Sequence, residues 1–271
     1  MSGQANGGLV VGFERCEREL LARAPDAART AYGRWTRRPG YGRVVAFVHA
    51  FEHRHLFRVT AKDLDRVKAE SEHALGDVRS EEQMPDVENF TCPFALQHLF
   101  HFWIETHGRL PLWQEWWAWM WRDACRGFVQ PVALSVGWAE AGAARREAIR
   151  RAVRWRLGKF YYSAFREVEA LTRLRVEHGL PLRYHLLADV LIRVDYWLGD
   201  AAVCVYFPNP RYRDGRRGRK PPASRFVGGE GSPFGVLHLG IERQGFGRFW
   251  TADAESLRSA AEQIRALAGR V

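Results

Sequence analysis

The chain has 271 residues and a formal charge of +10, from 41 lysines and arginines against 31 acids. Its hydrophobic content of 46% suffices for a core and excludes global disorder, and its length fits one large domain or two small ones. The charge indicates an acidic partner, such as nucleic acid or a membrane surface. The basic residues are mostly arginine, which is typical of a GC-rich genome, but this bias does not explain the excess of bases over acids.

The cysteines and the hydropathy pattern bear on the compartment. The cysteines are scattered without CxxC spacing, which argues against a zinc ribbon or a redox motif and fits a reducing environment. They are Cys16, Cys92, Cys125 and Cys204. Residues 1–12 lack the basic start and apolar run of a signal peptide. No uncharged apolar stretch approaches the ~20 residues that cross a bilayer. We therefore expect a soluble, cytoplasmic protein with no membrane partner.

Helical patterns fill the first half of the chain. Apolar residues recur at helical spacing in 13–35, 44–57, 60–75 and 94–105. Thr60 is a candidate N-cap, because its hydroxyl can accept from the first turn of the helix that follows. His49 and His53 are four residues apart and would share one helical face, a spacing that metal sites use. No third ligand is evident, so we interpret these histidines as lining a polar seam of a helical domain.

A tryptophan-rich segment follows at 111–121. Pro111 suits the first turn of a helix, and Trp113, Trp117 and Trp121 then recur every four residues. Each tryptophan buries a large apolar area, so such a cluster belongs either to the core or to an interface. We therefore regard helix 111–121 as a candidate docking surface for a protein partner.

An arginine-rich helix is predicted at 139–156. Its basic side chains recur at three- and four-residue spacing, so they line one side. They are Arg145, Arg146, Arg150, Arg151, Arg154 and Arg156. Phosphate contact is one interpretation, with Arg150 and Arg154 as candidate nucleic-acid ligands. The other is a solvated face that Glu140 and Glu147 partly balance. We place a domain boundary near 155, between a helical Trp-rich domain (1–155) and an α/β domain (156–271).

The second half predicts a helix and then a sheet. The helix spans 160–178 and carries Glu167, and a short strand at 182–187 follows it. Residues 190–197 alternate in polarity, which predicts a strand with Asp195 and Arg193 on one face and Asp189 in phase before them. Residues 201–207 form a continuous apolar run, as expected of a strand that is buried on both faces. Asp195 is a candidate metal ligand, and the alternative is that it pairs with Arg193.

A basic loop leaves the predicted sheet at 208–233. It is rich in glycine, proline and arginine, with Tyr212 and Phe226 interleaved. Its candidate nucleic-acid ligands are Arg211, Arg213, Arg216, Arg217 and Arg219, with Lys220 beside them. Such a loop is suited to holding a phosphate backbone, and the alternative is a solvated insertion. Strands at 235–241 and 248–250 and an amphipathic helix at 254–267, capped by Thr251 or Asp253, complete the chain.

The order of elements from 158 to 250 resembles the core of the PD-(D/E)xK nuclease superfamily. The resemblance implies a restriction-endonuclease-like core, in which Asp195 and the helix acid Glu167 bind Mg²⁺ and orient water. The strand that should supply Glu-x-Lys instead reads Val203-Cys204-Val205-Tyr206. Three possibilities follow from this departure: Lys220 or Arg211 takes the role of the lysine, Asp189 and Glu242 complete the metal site with Asp195, or the fold persists without catalysis.

Two functional hypotheses follow. The fold class is α+β, with an all-α N-terminal half followed by a small mixed sheet flanked by helices. The first hypothesis is a protein that binds nucleic acid, which we expect to be DNA, and cleaves it as a Mg²⁺-dependent nuclease. Its catalytic residues would be Asp195, Glu167 and Lys220. Its metal ligands would be Asp195 and Asp189. The second is a non-catalytic adaptor that docks a partner protein through helix 111–121 and contacts nucleic acid through loop 208–233.

Overall fold

The computed structural model describes residues 9–79, 82–92, 96–206, 222–240, 243–246 and 249–268. The helices of the first half are α1 (Phe13–Cys16, extended by a π-helical turn at Glu17–Leu21), α2 (Asp26–Thr36), α3 (Gly42–Ala50), α4 (Ala61–Glu70), α5 (Pro85–Glu88), α6 (Leu96–His107), α7 (Trp113–Arg122) and α8 (Val129–Ser135). Thr60 caps α4 as predicted, because its hydroxyl accepts from the Asp63 amide and the Asp63 carboxylate accepts from the Thr60 amide.

The second half combines helices with short strands. Its helices are α9 (Ala143–Val176), α10 (Leu186–Ile192), α11 (Ser224–Val227) and α12 (Ala254–Ala268), and its strands are β1 (Tyr196–Leu198), β2 (Ala201–Tyr206), β3 (Gly235–Gly240), β4 (Arg243–Phe246) and β5 (Phe249–Ala252). One sheet has the order β1-β2-β3, in which β2 runs antiparallel to β1 and parallel to β3, while β4 and β5 form a separate hairpin. The chain is therefore an α+β protein with a small mixed sheet.

The predicted strand at 190–197 is wrong over most of its length. Residues Leu186–Ile192 are the helix α10, so Asp189 lies on a helix and only Tyr196–Leu198 pair as a strand. The predicted strand at 182–187 is reduced to one isolated bridge at Arg183. A short apolar run fits both the two-residue period of a strand and the 3.6-residue period of a helix. Here nearly every face of α10 is buried, which favours the helix. The His185 side chain caps α10 by accepting from the Leu187 amide at 3.1 Å.

The predicted helix at 44–57 also ends early. Helix α3 stops at Ala50, and His53 forms an antiparallel bridge with Val11 instead. His49 and His53 therefore do not share a helical face. His49 stacks on Phe13, whereas His53 is fully buried among other rings.

A single long helix connects the two halves. Helix α9 runs without interruption from Ala143 to Val176, so the boundary expected near 155 falls inside it. Buried residues on both sides of that position, such as Trp116 and Phe165, belong to one hydrophobic core. Within the described ranges, no helix combines the length and the apolar character needed to cross a bilayer.

Gly158 allows α9 to pack closely on the chain before it. A Cβ at this position would lie 2.9 Å from Leu75 Cδ2 and 3.0 Å from the Ala74 carbonyl oxygen. We expect Gly158→Ala to destabilise the fold by about 1–3 kcal/mol, because backbone blocks the added methyl group. Gly33→Ala is the matched change in α2, where the methyl group would meet only the flexible end of Arg37, and it should stabilise by about 0.5–1 kcal/mol. Urea unfolding of both variants measures the contrast, and equal effects would contradict the close packing.

Candidate functional site

The three carboxylates singled out in the sequence come from three consecutive parts of the fold. Glu167 lies on α9, Asp189 on α10, and Asp195 in the link between α10 and β1. Arg193 ends α10 in the left-handed conformation with φ of 64°, and this turn directs the chain into the sheet.

Asp195 is fixed at the start of the β1–β2 ladder. Its amide donates to the Val203 carbonyl oxygen at 3.0 Å, and its Oδ2 accepts from the Val205 amide at 2.6 Å. Asp195 therefore lies beside β2, as predicted. The expected burial of this strand on both faces is wrong for its second half, because residues 201–203 are buried, residues 204 and 205 are half-buried and Tyr206 is 53% exposed. One of its carboxylate oxygens is already used by the backbone of that strand.

Two buried tyrosines lie within the electrostatic influence of all three carboxylates. Tyr184 donates to Asp189 Oδ2 at 3.0 Å, and Tyr196 donates to the backbone carbonyl of Glu167 at 2.6 Å. Burial raises the pKa of both tyrosines well above the usual value, and the negative charges of Asp189, Glu167 and Asp195 raise each pKa further. The three carboxylates therefore share one electrostatic neighbourhood around protonated phenols.

Arg193 supplies positive charge to the same neighbourhood. Burial lowers the pKa of its guanidinium, while the charges of Asp189 and Asp195 act in the opposite direction. Its backbone carbonyl accepts from the Cys204 thiol at 3.2 Å. Burial, together with the charge of Asp195, raises the pKa of Cys204 to about 12, so this thiol stays protonated at neutral pH.

The carboxylates do not fit Mg²⁺ as they are placed. Among the described residues, no group of three or more His, Cys, Asp or Glu side chains is positioned to hold a metal ion. Asp195 and Asp189 each use an oxygen on a protein donor, and Arg193 already offers them a positive charge. Lys220 and Glu242, which were expected to complete the site, lie outside the described residues.

Most arginines of the predicted basic helix are occupied within the protein. Arg151 pairs with Asp77 and Glu82, and Arg154 donates to the carbonyl oxygens of His73 and Ala74 at 3.1 Å each. Arg156 bonds the carbonyl oxygens of Val87 and Phe90, and Arg146 bonds those of Trp138 and Ala139. These arginines therefore bind this part of α9 to the described residues between 73 and 90 and to residues 138 and 139.

Arg145 and Arg150 differ from the rest of that face. Both side chains are exposed, and no ion pair joins either of them to an acid within the described ranges. Of the two α9 arginines predicted to bind nucleic acid, Arg150 is therefore available and Arg154 is engaged. The other candidates, Arg211, Arg213, Arg216, Arg217 and Arg219, lie outside the described residues.

A second basic surface was missed in the sequence. No acid occurs between Asp26 and Glu52, while this stretch contains five arginines, and that imbalance was a readable signal. We define the basic turn as Arg34, Arg37 and Arg38, at the end of α2 and in the turn to α3. All three are exposed, and within the described part of the chain none has an ion pair with an acid.

The tryptophans of α7 are mostly in the core. Trp113 and Trp116 are fully buried and contact Tyr161 of α9, with ring centroids 5.4 and 5.9 Å apart. Trp117 and Trp121 are half-buried and lie edge to face with each other at 5.4 Å. Only the latter pair is positioned to contribute to a docking surface.

Comparison of the chain with protein-family models, with curated proteins and with solved structures gives no match in any of the three.

Proposed function

We propose that this protein binds nucleic acid through contacts between exposed arginines and the phosphate backbone. The observation that carries the proposal is the basic turn, whose three arginines are exposed and lack acidic partners among the described residues. Exposed Arg145 and Arg150 of α9 add to the same charge excess, and the net charge of +10 agrees with it. Arg37 Nε donates to the Gly33 carbonyl oxygen of its own helix and Arg38 lies over the Tyr41 ring. The remaining N–H groups of these guanidinium groups have no acidic partner within the described ranges and can bind phosphate.

Duplex DNA is the polyanion that we propose as ligand. It carries one charge per about 1.7 Å of helix axis, so several separated arginines can each find a phosphate. Five of the arginines of loop 208–233, those at 211, 213, 216, 217 and 219, extend the proposed surface on the grounds of their sequence alone.

Binding of labelled duplex DNA across a salt series is the first test of this proposal. The association constant should fall steeply with salt, with a slope near −0.9 for each phosphate contacted in a plot of log K against log[salt]. The same titration with single-stranded DNA and with RNA identifies the preferred polyanion. Absence of binding to all of them at low salt would overturn the proposal.

Variants locate the surface. The triple variant R34Q/R37Q/R38Q should weaken binding and reduce the magnitude of the salt slope by about 2–3. Replacing Arg211, Arg213, Arg216, Arg217 and Arg219 by glutamine should reduce it further. The control R58Q/R258Q/R265Q removes the same charge elsewhere on the surface and should leave the slope unchanged. Equal effects of the turn variant and the control would show that net charge alone is responsible.

Phosphodiester cleavage is a second candidate activity. It is favoured by the shared neighbourhood of Glu167, Asp189 and Asp195 beside a small mixed sheet, as a restriction-endonuclease-like core would require. The fit to Mg²⁺ fails among the described residues, so we derive no catalytic step. Incubation of DNA with Mg²⁺, Mn²⁺ or EDTA tests the candidate, because cleavage that EDTA abolishes and Asp195→Asn removes would support it. Intact DNA under all three conditions would leave a binding protein.

The adaptor hypothesis retains one supporting feature. Trp117, Trp121 and Trp138 form a half-buried aromatic series, with centroids of successive rings 5.4 and 6.1 Å apart. A partner protein would cover these rings, since aromatic side chains are enriched at interfaces. In the adaptor hypothesis the DNA contacts remain and cleavage is absent.

A further inference from the structure

A pocket of about 380 Å³ opens between α3, α6 and the segment after α7. Its walls are apolar and largely aromatic, formed by Val44, Phe47, Leu99, Phe102 and Trp119. Phe102 stacks on Trp119 with ring centroids 6.1 Å apart, and Phe47 lies 6.0 Å from Phe102. The volume is at the lower end of the roughly 300–1,000 Å³ that small-molecule sites occupy. The pocket is therefore suited to one compact apolar body.

The rim of this pocket carries the charge. Arg43 and Arg126 line it, both with exposed side chains, and neither has an ion pair with an acid in the described ranges. Asp123 lies on the same rim and likewise makes no ion pair with either arginine. His98 also lines the pocket and contacts the edge of Phe47. The formal balance of the rim is thus +1 with His98 neutral, from two arginines and one aspartate.

Phe102 is one of the few large apolar side chains left exposed among the described residues, at 37%. When a ligand covers an aromatic ring that is open to water inside a concave apolar pocket, the burial of apolar surface favours binding. The polar side chains around the pocket are two arginines, one aspartate and one histidine, and they give the rim a net positive charge rather than an array of donors and acceptors on the pocket walls. A nucleobase would leave its polar edge unpaired against these walls, at a cost in free energy.

We infer that this pocket binds an amphipathic monoanion, with the apolar body against Phe47, Phe102 and Trp119 and the anionic head at Arg43 and Arg126. A medium-chain carboxylate and an aromatic carboxylate share this chemistry. The inference is independent of nucleic-acid binding, because no residue of the basic turn lines the pocket.

Calorimetric titration of the full chain with decanoate, decanol and decylamine tests the head group. Decanoate should bind at least about tenfold more tightly than decanol, since one charge-assisted hydrogen bond is worth about 1.5–3 kcal/mol and about 1.4 kcal/mol is tenfold. Decylamine should bind more weakly than decanol because the rim is cationic. Comparison of the affinities for decanoate and 2-naphthoate then shows whether the pocket prefers an alkyl chain or an aromatic ring as the apolar body. Equal affinities for the carboxylate, the alcohol and the amine, or binding of none of these probes, would overturn the inference.

Variants show whether the ligand occupies this pocket. R43Q/R126Q should lower decanoate affinity at least about tenfold while leaving decanol unchanged. R58Q/R258Q removes the same charge from exposed positions outside the pocket and should have no effect. Ala124→Phe places a ring in the cavity and should abolish binding of all the probes, with circular dichroism confirming the fold. Unchanged decanoate affinity in R43Q/R126Q would overturn the inference, even if Ala124→Phe failed to fold.

Discussion

Lys68→Met should lower the free energy of unfolding by about 3–5 kcal/mol at pH 7.5. Lys68 Nζ lies 2.6 Å from Glu169 Oε1, and this ion pair joins α4 to α9. Glu169 is fully buried, and its Oε2 has no hydrogen-bond partner. Removal of the ammonium group therefore leaves a buried carboxylate that the charge of Arg173 compensates only in part.

The loss should depend on pH in a defined direction. Burial already raises the pKa of Glu169, and the neighbouring Lys68 opposes that shift. Without Lys68 the folded-state pKa rises further above the unfolded value, so the folded protein binds a proton that the unfolded chain releases. The destabilisation relative to wild type is then largest above the folded-state pKa of Glu169 and shrinks as the pH is lowered below it.

Urea unfolding of Lys68→Met, Lys62→Met and the double variant K68M/E169L at several pH values measures these effects. Lys62 is an exposed lysine on the same helix, so Lys62→Met should change stability by less than about 0.5 kcal/mol. The double variant removes both charges and should recover most of the loss, because an apolar pair of similar volume replaces a desolvated ion pair. Equal losses in Lys68→Met and Lys62→Met would contradict a role for the buried pair.

Helix caps and the position of a strand could be predicted from the sequence, because residues that are close along the chain determine them. Thr60 caps α4 as predicted, and the Asp253 carboxylate accepts from the Ser256 amide at 2.8 Å at the start of α12. Residues 201–203 of β2 are buried, as the apolar run indicates, whereas Tyr206 at the end of the strand is exposed. Asp189 and Asp195 were singled out by their phase near this strand, although Asp189 was assigned to a strand and lies on a helix, and Glu167 was singled out by the nuclease resemblance.

Partners distant in sequence could not be read in this way. The arginine face of α9 has the spacing of a phosphate-binding surface, yet Arg151 and Arg154 bind groups 74 and 80 residues earlier in the chain. The local sequence pattern does not distinguish arginines that bind groups within the protein from arginines on a solvated face. The pocket at Arg43 and Arg126 was missed for the same reason, because its walls come from separate helices.

Lowering the pH from 6.5 to 5 should reduce the free energy of unfolding by roughly 5 kcal/mol, because of three buried histidines. His53 and His185 are fully buried, and His101 is nearly so. The ring centroid of His53 lies 5.1 Å from that of His101 and 5.5 Å from that of His185. Tyr184 stacks on His101 at 4.6 Å. This cluster joins the helical half to the α/β half through rings from both.

The hydrogen bonds of the cluster require neutral imidazoles. His53 Nε2 accepts from the Leu186 amide at 3.3 Å, and His185 Nδ1 accepts from the Leu187 amide at 3.1 Å. A proton on either acceptor nitrogen would break that bond. Burial lowers the pKa of His53 well below its usual value, that of His101 to about 3 and that of His185 to about 4. Nearby histidine charges lower each of these values further.

The sign of the pH effect follows from these lowered values. Between about pH 6.5 and pH 4 the unfolded chain binds protons at these histidines and the folded protein does not, so stability is complete above pH 6.5 and is lost as the pH falls. Each histidine contributes up to about 1.4 kcal/mol per pH unit, which amounts to roughly 1.6 kcal/mol between pH 6.5 and pH 5 because the unfolded histidine is about half protonated at pH 6.5. Glu105 opposes the loss at His53, since its Oε1 lies 3.8 Å from His53 Nδ1, whereas Asp189 is committed to Tyr184.

One histidine at a time can be tested by urea unfolding from pH 7.5 to pH 5. His101→Phe keeps a ring on Tyr184 and removes one titrating group whose Nδ1 has no hydrogen-bond partner, so the pH slope should fall by about 1.4 kcal/mol per unit. His238→Gln changes an exposed histidine on β3 and should leave the slope unaltered. A slope that His101→Phe does not change would mean that His101 titrates alike in the folded and unfolded states, so burial would not hold it neutral. A stability independent of pH between 6.5 and 5 would exclude the whole cluster as the acid-labile element of this fold.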